Sequence, residues 1–330
     1  MTTESPAAPT RPARPASQPA TQRAHSSAHR LEYALIRSLE EAVMRLPERR
    51  ANAFGKALGR TIHRLGVRRD VVIDNLRTAF PDRDRKWIND IARMSYEHLG
   101  REAATMLRLS RLDRSAVLER TTTLGWDAVQ DALALGNGLV LVTGHYGNWE
   151  IAAATIAARG LPISAIARRQ GNRLVDERLR ETRRKLGVET VYQGQAPTRV
   201  PRILRANGVV GIVGDQDARR AGVFVPFFGR PASTHRGPAL FAMRLDAPVF
   251  TCVARRLPGA ASHYEVALER VAYQRTDSLD NDVVSLTANL ARRLEEVIRR
   301  DPSQYFWFHR RWKSTPPDTE GLVTSASPTA

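Results

Sequence analysis

An α/β sandwich with a mixed, mainly parallel sheet and N-terminal helices is the fold this sequence predicts, on three observations. Short apolar runs of strand length recur from residue 139 onward. Stretches with apolar residues every three or four positions separate them. The region from residue 29 to residue 108 carries mostly the helical period. Strands alternating with covering helices are the signature of a layered α/β domain.

The elements follow in chain order. Residues 1–26, rich in Pro, Ala, Ser, Thr and Arg without period, read as a disordered basic tail. Residues 314–330 read as a second tail, leaving one domain over 27–313. From His29 to Leu65, the residues Leu31, Leu35, Leu39, Val43 and Leu46 mark the apolar side of a helix. Pro47 interrupts it, and Phe54, Leu58, Ile62 and Leu65 continue the pattern. Arginines 30, 37, 45, 49, 50, 60 and 64 lie along the same stretch, so it either packs on the main domain, lies at a membrane interface, or does both. Residues 72–108 read as helical with a break at Phe80-Pro81. Strands are expected at 139–143, 163–167, 209–213, 248–253 and 263–269, and helices at 149–159, 172–186, 199–206, 236–245 and 280–300.

Composition narrows the partners. The 330 residues carry a net charge of +17, which attracts phosphate-bearing lipids, an acidic carrier protein or nucleic acid. No recognisable nucleic-acid module supports the last. Cys252 is the single cysteine, so an intrachain disulfide is excluded and a reducing compartment is the simpler default. No apolar stretch reaches the roughly 18–20 residues of a membrane span, and the N-terminus lacks the apolar core of a secretory signal.

The chemistry concentrates at strand exits. The run Leu139–Val142 releases Gly144-His145-Tyr146-Gly147-Asn148-Trp149-Glu150. Histidine, with a reference pKa near 6.5, suits the removal of a hydroxyl proton during attack. Glu150 is expected to reach the far ring nitrogen, fix the tautomer and stabilise the imidazolium. No covalent nucleophile accompanies His145, so a substrate hydroxyl would attack an activated acyl carbonyl directly. A second exit carries Gly214-Asp215-Gln216-Asp217 and leads into Phe224–Gly229, whose aromatic rings suit either an acyl chain or a core. Asp215 and Asp217 fall short of a metal site, and neither a P-loop nor a dinucleotide fingerprint occurs in context, so no metal or cofactor is expected. A third cluster, Phe306–Lys313, joins aromatic and basic residues suited to phosphate or phosphopantetheine. Arg168-Arg169-Gln170-Gly171-Asn172 follows its own strand in a similar way.

From about Leu31 to Lys313 the chain resembles the bacterial lipid A late acyltransferases, the lauroyl/myristoyltransferase family. Its blocks fall in order on Asn75–Pro81, His145–Glu150, Asp215-Gln216 with Phe224–Gly229, and Tyr305–Lys313. The resemblance implies a glycerolipid-acyltransferase-like sandwich and transfer of an acyl chain from a thioester, on acyl carrier protein or coenzyme A, to a hydroxyl of an anionic membrane glycolipid. A lipid A precursor is the first acceptor implied and a phosphatidylinositol mannoside the second. It implies the cytoplasmic face of the inner membrane, His145 as general base with Glu150 as partner, and Asn148, Arg168, Asp215, Gln216 and Arg310 in the surrounding site. Members commonly carry an N-terminal hydrophobic anchor. Here that region is interrupted by Arg37, Glu40, Glu41, Arg45 and Glu48, which fits a helix lying at an interface. A catalytically idle basic protein that binds membrane is the alternative, distinguished by whether His145→Ala removes transfer while folding and membrane binding persist.

Overall fold

The computed structural model describes residues 26–316, so the expected tails lie almost wholly outside the described residues. Four helices open it: α1 (Ser27–Arg45), α2 (Glu48–Arg64), α3 (Arg69–Ala79) and α4 (Arg85–Arg108). Ser26 and Asp84 cap α1 and α4 by accepting the His29 and Trp87 backbone N–H. The breaks come at Pro47 and Phe80-Pro81, as the pattern requires.

The apolar stripe of these helices is only partly used for packing. Val43 is buried beside Ala51 and Ala104, whereas Leu31 and Leu35 are 63% and 64% exposed. Helix α2 turns much of its apolar stripe outward. It buries Ala51, Asn52, Gly55 and Gly59 and leaves Phe54, Leu58 and Leu65 exposed. The cause lies in the glycines. A Cβ on Gly55 would stand 2.3 Å from the Gly100 carbonyl oxygen, and one on Gly59 2.0 Å from that of Tyr96. Helices α2 and α4 therefore touch backbone to backbone, and the larger side chains of α2 have no room on that face. Glu40 on α1 is buried and paired with Arg37 and with Arg178, so α1 also packs inward.

After α5 (Arg114–Glu119) the sheet begins: β1 (Thr121–Leu124), α6 (Trp126–Leu133), β2 (Leu139–Thr143), α7 (Trp149–Ala158), β3 (Ile163–Ala167), α8 (Arg173–Lys185), β4 (Val188–Tyr192), α9 (Ala196–Arg205) and β5 (Val209–Val213). A hairpin of β6 (Val223–Phe227) and β7 (Arg230–Thr234) follows, then α10 (Gly237–Leu245), β8 (Val249–Arg256), β9 (Tyr264–Arg270) and α11 (Leu279–Arg300). The seven main strands lie in the order β1-β9-β8-β2-β5-β3-β4. Every neighbouring pair is parallel except β8 and β9. This is the expected mixed, mainly parallel α/β sandwich with N-terminal helices.

All five expected strands form. The structure adds β1 and β4, whose sequences lack a continuous apolar run, and the β6–β7 hairpin, which holds the aromatic segment Phe224–Gly229. The hairpin turns on Phe228 and Gly229, both at positive φ (51° and 72°), the conformation that matches strand twist in a two-residue loop. One apolar layer packs α6 and α7 against the sheet, and another packs α9, α10 and α11 against its opposite face. A third, aromatic cluster joins Phe80, Tyr96, Phe227, Phe228, Tyr305 and Trp307.

Candidate active site

The central strands β2 and β5 pair in register, Thr143 opposite Val213. His145 and Asp215 each stand two residues beyond these partners, so equal offsets bring them together at the carboxyl end of the sheet. Asp215 Oδ1 lies 2.7 Å from His145 Nδ1, and Asp215 Oδ2 accepts the His145 backbone N–H at 2.9 Å. One carboxylate thus fixes both the ring and the main chain of the residue that carries it.

The loop beneath the ring is held from several sides. Phe306 N–H donates to the His145 carbonyl at 2.9 Å, Gly147 N–H to Gln304 O and Asn148 N–H to Ala254 O, both at 3.0 Å. Gly147, at φ 56°, approaches the β8 backbone so closely that a Cβ would stand 1.9 Å from Ala254 O. Trp149 meets the His145 ring edge-on at 4.8 Å.

The electrostatics of the pair follow from burial and charge. Burial disfavours the charged imidazole, but the adjacent Asp215 carboxylate outweighs it and raises the His145 pKa above 6.5. Burial likewise penalises the Asp215 carboxylate, yet His145, its hydrogen bonds and Arg311 bring that pKa down to about 2. Asp215 therefore stays ionised near neutrality, Nδ1 carries the ring proton, and the Nε2 lone pair is left for a substrate. Gln216 Nε2 stands 3.4 Å from that Nε2, close enough to exchange places with a hydroxyl.

The expected contact of Glu150 with the ring is not the one formed. Glu150 accepts from Arg183 at 2.9 and 2.6 Å, while Asp215 occupies Nδ1. Glu150 lies in the first turn of α7, which carries its carboxylate to α8. Substituting Glu150→Gln leaves the largely buried Arg183 without its counter-ion and is expected to destabilise the fold by about 3–5 kcal/mol. Urea unfolding checks this. Unchanged stability with lost activity would place Glu150 in the chemistry instead.

The other anticipated residues divide. Asn148 is buried; its Oδ1 caps α7 at Ile151 and its Nδ2 donates to Glu102 at 2.7 Å, so it shapes the loop. Arg168 leaves β3 on the same sheet rim with an exposed side chain, and Arg310 is also exposed. Neither makes a described contact with the His145–Asp215 pair. Arg311, which the sequence reading did not single out, is the buried one. It donates to Ser233 O and Thr234 Oγ1, both at 2.6 Å, and lies over the Phe227 ring. The basic cluster is thus partly spent on the hairpin rather than left for phosphate. Asn75 donates to the Trp307 and His309 carbonyls at 2.7 and 2.6 Å, tying the early block to the terminal one.

Two apolar spaces flank the pair. One lies among the ends of β2, β5 and β8 and the helices α10 and α11, with Gly144, Asp215, Phe227 and Leu294 in its wall. The other is a cleft between α4 and the 145–149 loop that includes His145 itself. Cys252 belongs to neither; it is buried, with its thiol pushed up to about 12.

A strand-end His–Asp pair beside apolar space has the geometry of a general base with its orienting carboxylate. The family model described as bacterial lipid A biosynthesis acyltransferase matches residues 23–314. The chain belongs to that family. This acyltransferase is 28% identical over 224 residues to the phosphatidylinositol mannoside acyltransferase of Mycobacterium tuberculosis (strain H37Rv), covering 66% of this chain and 69% of the relative. It is 27% identical over 228 residues to the protein of that name from Mycolicibacterium smegmatis, covering 68% and 73%. It is 26% identical over 283 residues to the lipid A biosynthesis lauroyltransferase of Escherichia coli (strain K12), covering 83% and 89%. The acyltransferase is accordingly an O-acyltransferase that delivers an acyl group to a glycolipid or lipid headgroup.

Proposed function

We propose that a single domain over residues 27–313 transfers a fatty acyl chain from a thioester, on acyl carrier protein or coenzyme A, to a hydroxyl of a membrane glycolipid. The observation that carries this is the His145–Asp215 pair, with one ring nitrogen anchored and the other beside Gln216, in a residue that lines a cleft. His145 Nε2 takes the proton as the hydroxyl oxygen attacks the thioester carbonyl. The tetrahedral intermediate collapses, the C–S bond breaks, and the imidazolium returns its proton to the departing thiolate. Asp215 stabilises the imidazolium throughout. The acyl chain occupies the apolar space beside Gly144, where a Cβ would stand 2.6 Å from Leu294.

A lipid A precursor is the acceptor favoured by the family and by the long overlap with the lauroyltransferase. A phosphatidylinositol mannoside is the second reading, supported by its slightly more similar relatives. Mass spectrometry of transfer from acyl carrier protein and from coenzyme A to each glycolipid tests the proposal. A mass gain on one pair is expected, and none on any pair would reject it.

Peripheral docking at the cytoplasmic face of the inner membrane belongs to the same reading. Among the described residues no helix is long and apolar enough to cross a membrane. Leu31, Leu35, Phe54, Leu58, Leu65 and Val67 are exposed on the N-terminal helices and the turn after them, interleaved with exposed Arg49, Arg50, Arg64 and Arg68. Each large apolar side chain gains about 1.5–3 kcal/mol when removed from water, and arginines favour anionic headgroups. Phe54→Glu with Leu58→Glu is expected to weaken cosedimentation with phosphatidylglycerol vesicles by at least about tenfold, without changing the melting temperature. Unaltered cosedimentation would remove this face from the docking surface.

A further inference from the structure

The sheet face that carries α7 is not fully covered. Ala165, Gly211 and Leu141 lie abreast on β3, β5 and β2, and strand alternation turns them, with Ala167 and Val213, toward the α7 side. Yet Ala165, Ala167, Gly211 and Val213 are partly exposed there. The row steps down from leucine to glycine and alanine, so the floor falls away between α7 and α8. Gly211 sits in regular strand backbone, and a Cβ on it would come no closer than 3.4 Å to anything, the Ile163 side chain being nearest. The result is an apolar slot bounded by Trp149, Ala153 and Ile156 of α7 and by Arg183 of α8. Glu150 and Arg183 join the two helices and form its one charged wall.

This slot and the space beside Gly144 lie on opposite faces of the sheet. The latter rests against α10 and α11. Thr143, two residues before His145, bounds both. Trp149, whose ring meets that of His145 edge-on at 4.8 Å, is a wall both of the slot and of the cleft that contains His145. Helix α8 also ties the slot to the apolar face of the N-terminal helices. Arg178 pairs with Glu40 of α1, and Asn172, the α8 cap, donates to the His29 carbonyl and to Glu32, both at 2.9 Å. Leu31 and Leu35 project into solvent from that same α1.

We propose that the slot is a second lipid site, which holds an acyl chain that the acceptor glycolipid already carries; this rests on the acyltransferase reading above. Transfer brings two lipids to one histidine, and the space beside Gly144 is taken by the donor chain. The donor arrives from solution on a water-soluble carrier, whereas the acceptor resides in the bilayer. Its chain therefore enters from the side where α8 meets the exposed leucines of α1. An apolar floor with one charged wall matches a chain and the polar group that bears it.

The test uses the full chain carrying His145→Ala, so that nothing turns over. It measures equilibrium binding of palmitoyl-coenzyme A, a diacyl phosphatidylinositol mannoside and an acylated lipid A precursor. Gly211→Leu, which fills the slot, is expected to weaken the better-bound glycolipid by about tenfold, the effect of returning roughly two methylenes to water. Palmitoyl-coenzyme A is expected to stay within about twofold. Ala153→Leu fills the slot from α7 with the same expected result, and covers the case in which Gly211→Leu folds poorly. Leu294→Trp, in the space beside Gly144, is expected to give the opposite pattern. Binding to phosphatidylglycerol vesicles without glycolipid should not change, which separates the slot from the docking face. Unchanged glycolipid affinity in both slot variants overturns the proposal and leaves the acyltransferase reading intact. Weakened palmitoyl-coenzyme A in its place would put the donor chain in the slot and also overturns it. Equal weakening of every ligand with a lowered melting temperature in both variants assigns these residues to folding and likewise overturns it. If the parent binds none of the ligands, both readings fall.

Discussion

His145→Ala is expected to lower the turnover of acyl transfer by about 10²–10⁴-fold, the range contributed by a positioned general base. The loss should fall on kcat rather than on KM, because the imidazole acts as the hydroxyl loses its proton and the apolar spaces that hold the lipids remain. Alanine also strips Asp215 of its ring partner, and that carboxylate is 6% exposed. A buried acid without a counter-charge destabilises the fold, so reduced activity alone would be ambiguous. His145→Ala combined with Asp215→Asn resolves this. The double variant is expected to recover melting temperature relative to His145→Ala and to recover no transfer. Recovered transfer would show that the ring is dispensable and would dismiss it as the base.

Asp215→Asn is expected to lower kcat by about 10²–10⁴-fold and to move the pH profile. The direction follows from the forces on His145. Burial alone would depress its pKa below 6.5, and the Asp215 charge reverses that. The base form is needed for catalysis, so kcat/KM rises with pH through the raised His145 pKa. With asparagine in place the carboxylate is gone and burial acts unopposed. The rising limb then shifts to lower pH while the plateau falls. A limb that stays in place would show that Asp215 does not govern the ring, and the orienting role would have to pass elsewhere, Glu150 included.

Much of this architecture can be read from local sequence. The runs 139–143 and 209–213 form β2 and β5, and the residues at their exits, His145 and Asp215, were both marked as chemically significant. Their pairing was not legible, because strand order in a parallel sheet depends on crossovers rather than on neighbouring residues. Proximity along the chain favoured Glu150, which the first turn of α7 directs to Arg183 instead. Which face α2 buries was not legible for a similar reason. Its apolar period is clear, yet Gly55, Gly59 and Gly100 allow a backbone contact that only a view of both helices reveals.

The equal offset of His145 and Asp215 from paired strands has a consequence for how such a protein can diversify. Everything between the two strands, from α7 through α9, is an excursion that leaves β2 and returns beside it. The loops within it can lengthen without displacing the proton-transfer pair, provided β3 keeps its pairing with β5 and the return strand its register. Closing a longer excursion costs only about 0.6 kcal/mol for each doubling of its length. By contrast, a one-residue slip within β5 would turn Asp215 to the other face of the sheet. Variation in lipid preference is therefore inexpensive in the excursion, whereas the five residues of each central strand stay under tight constraint.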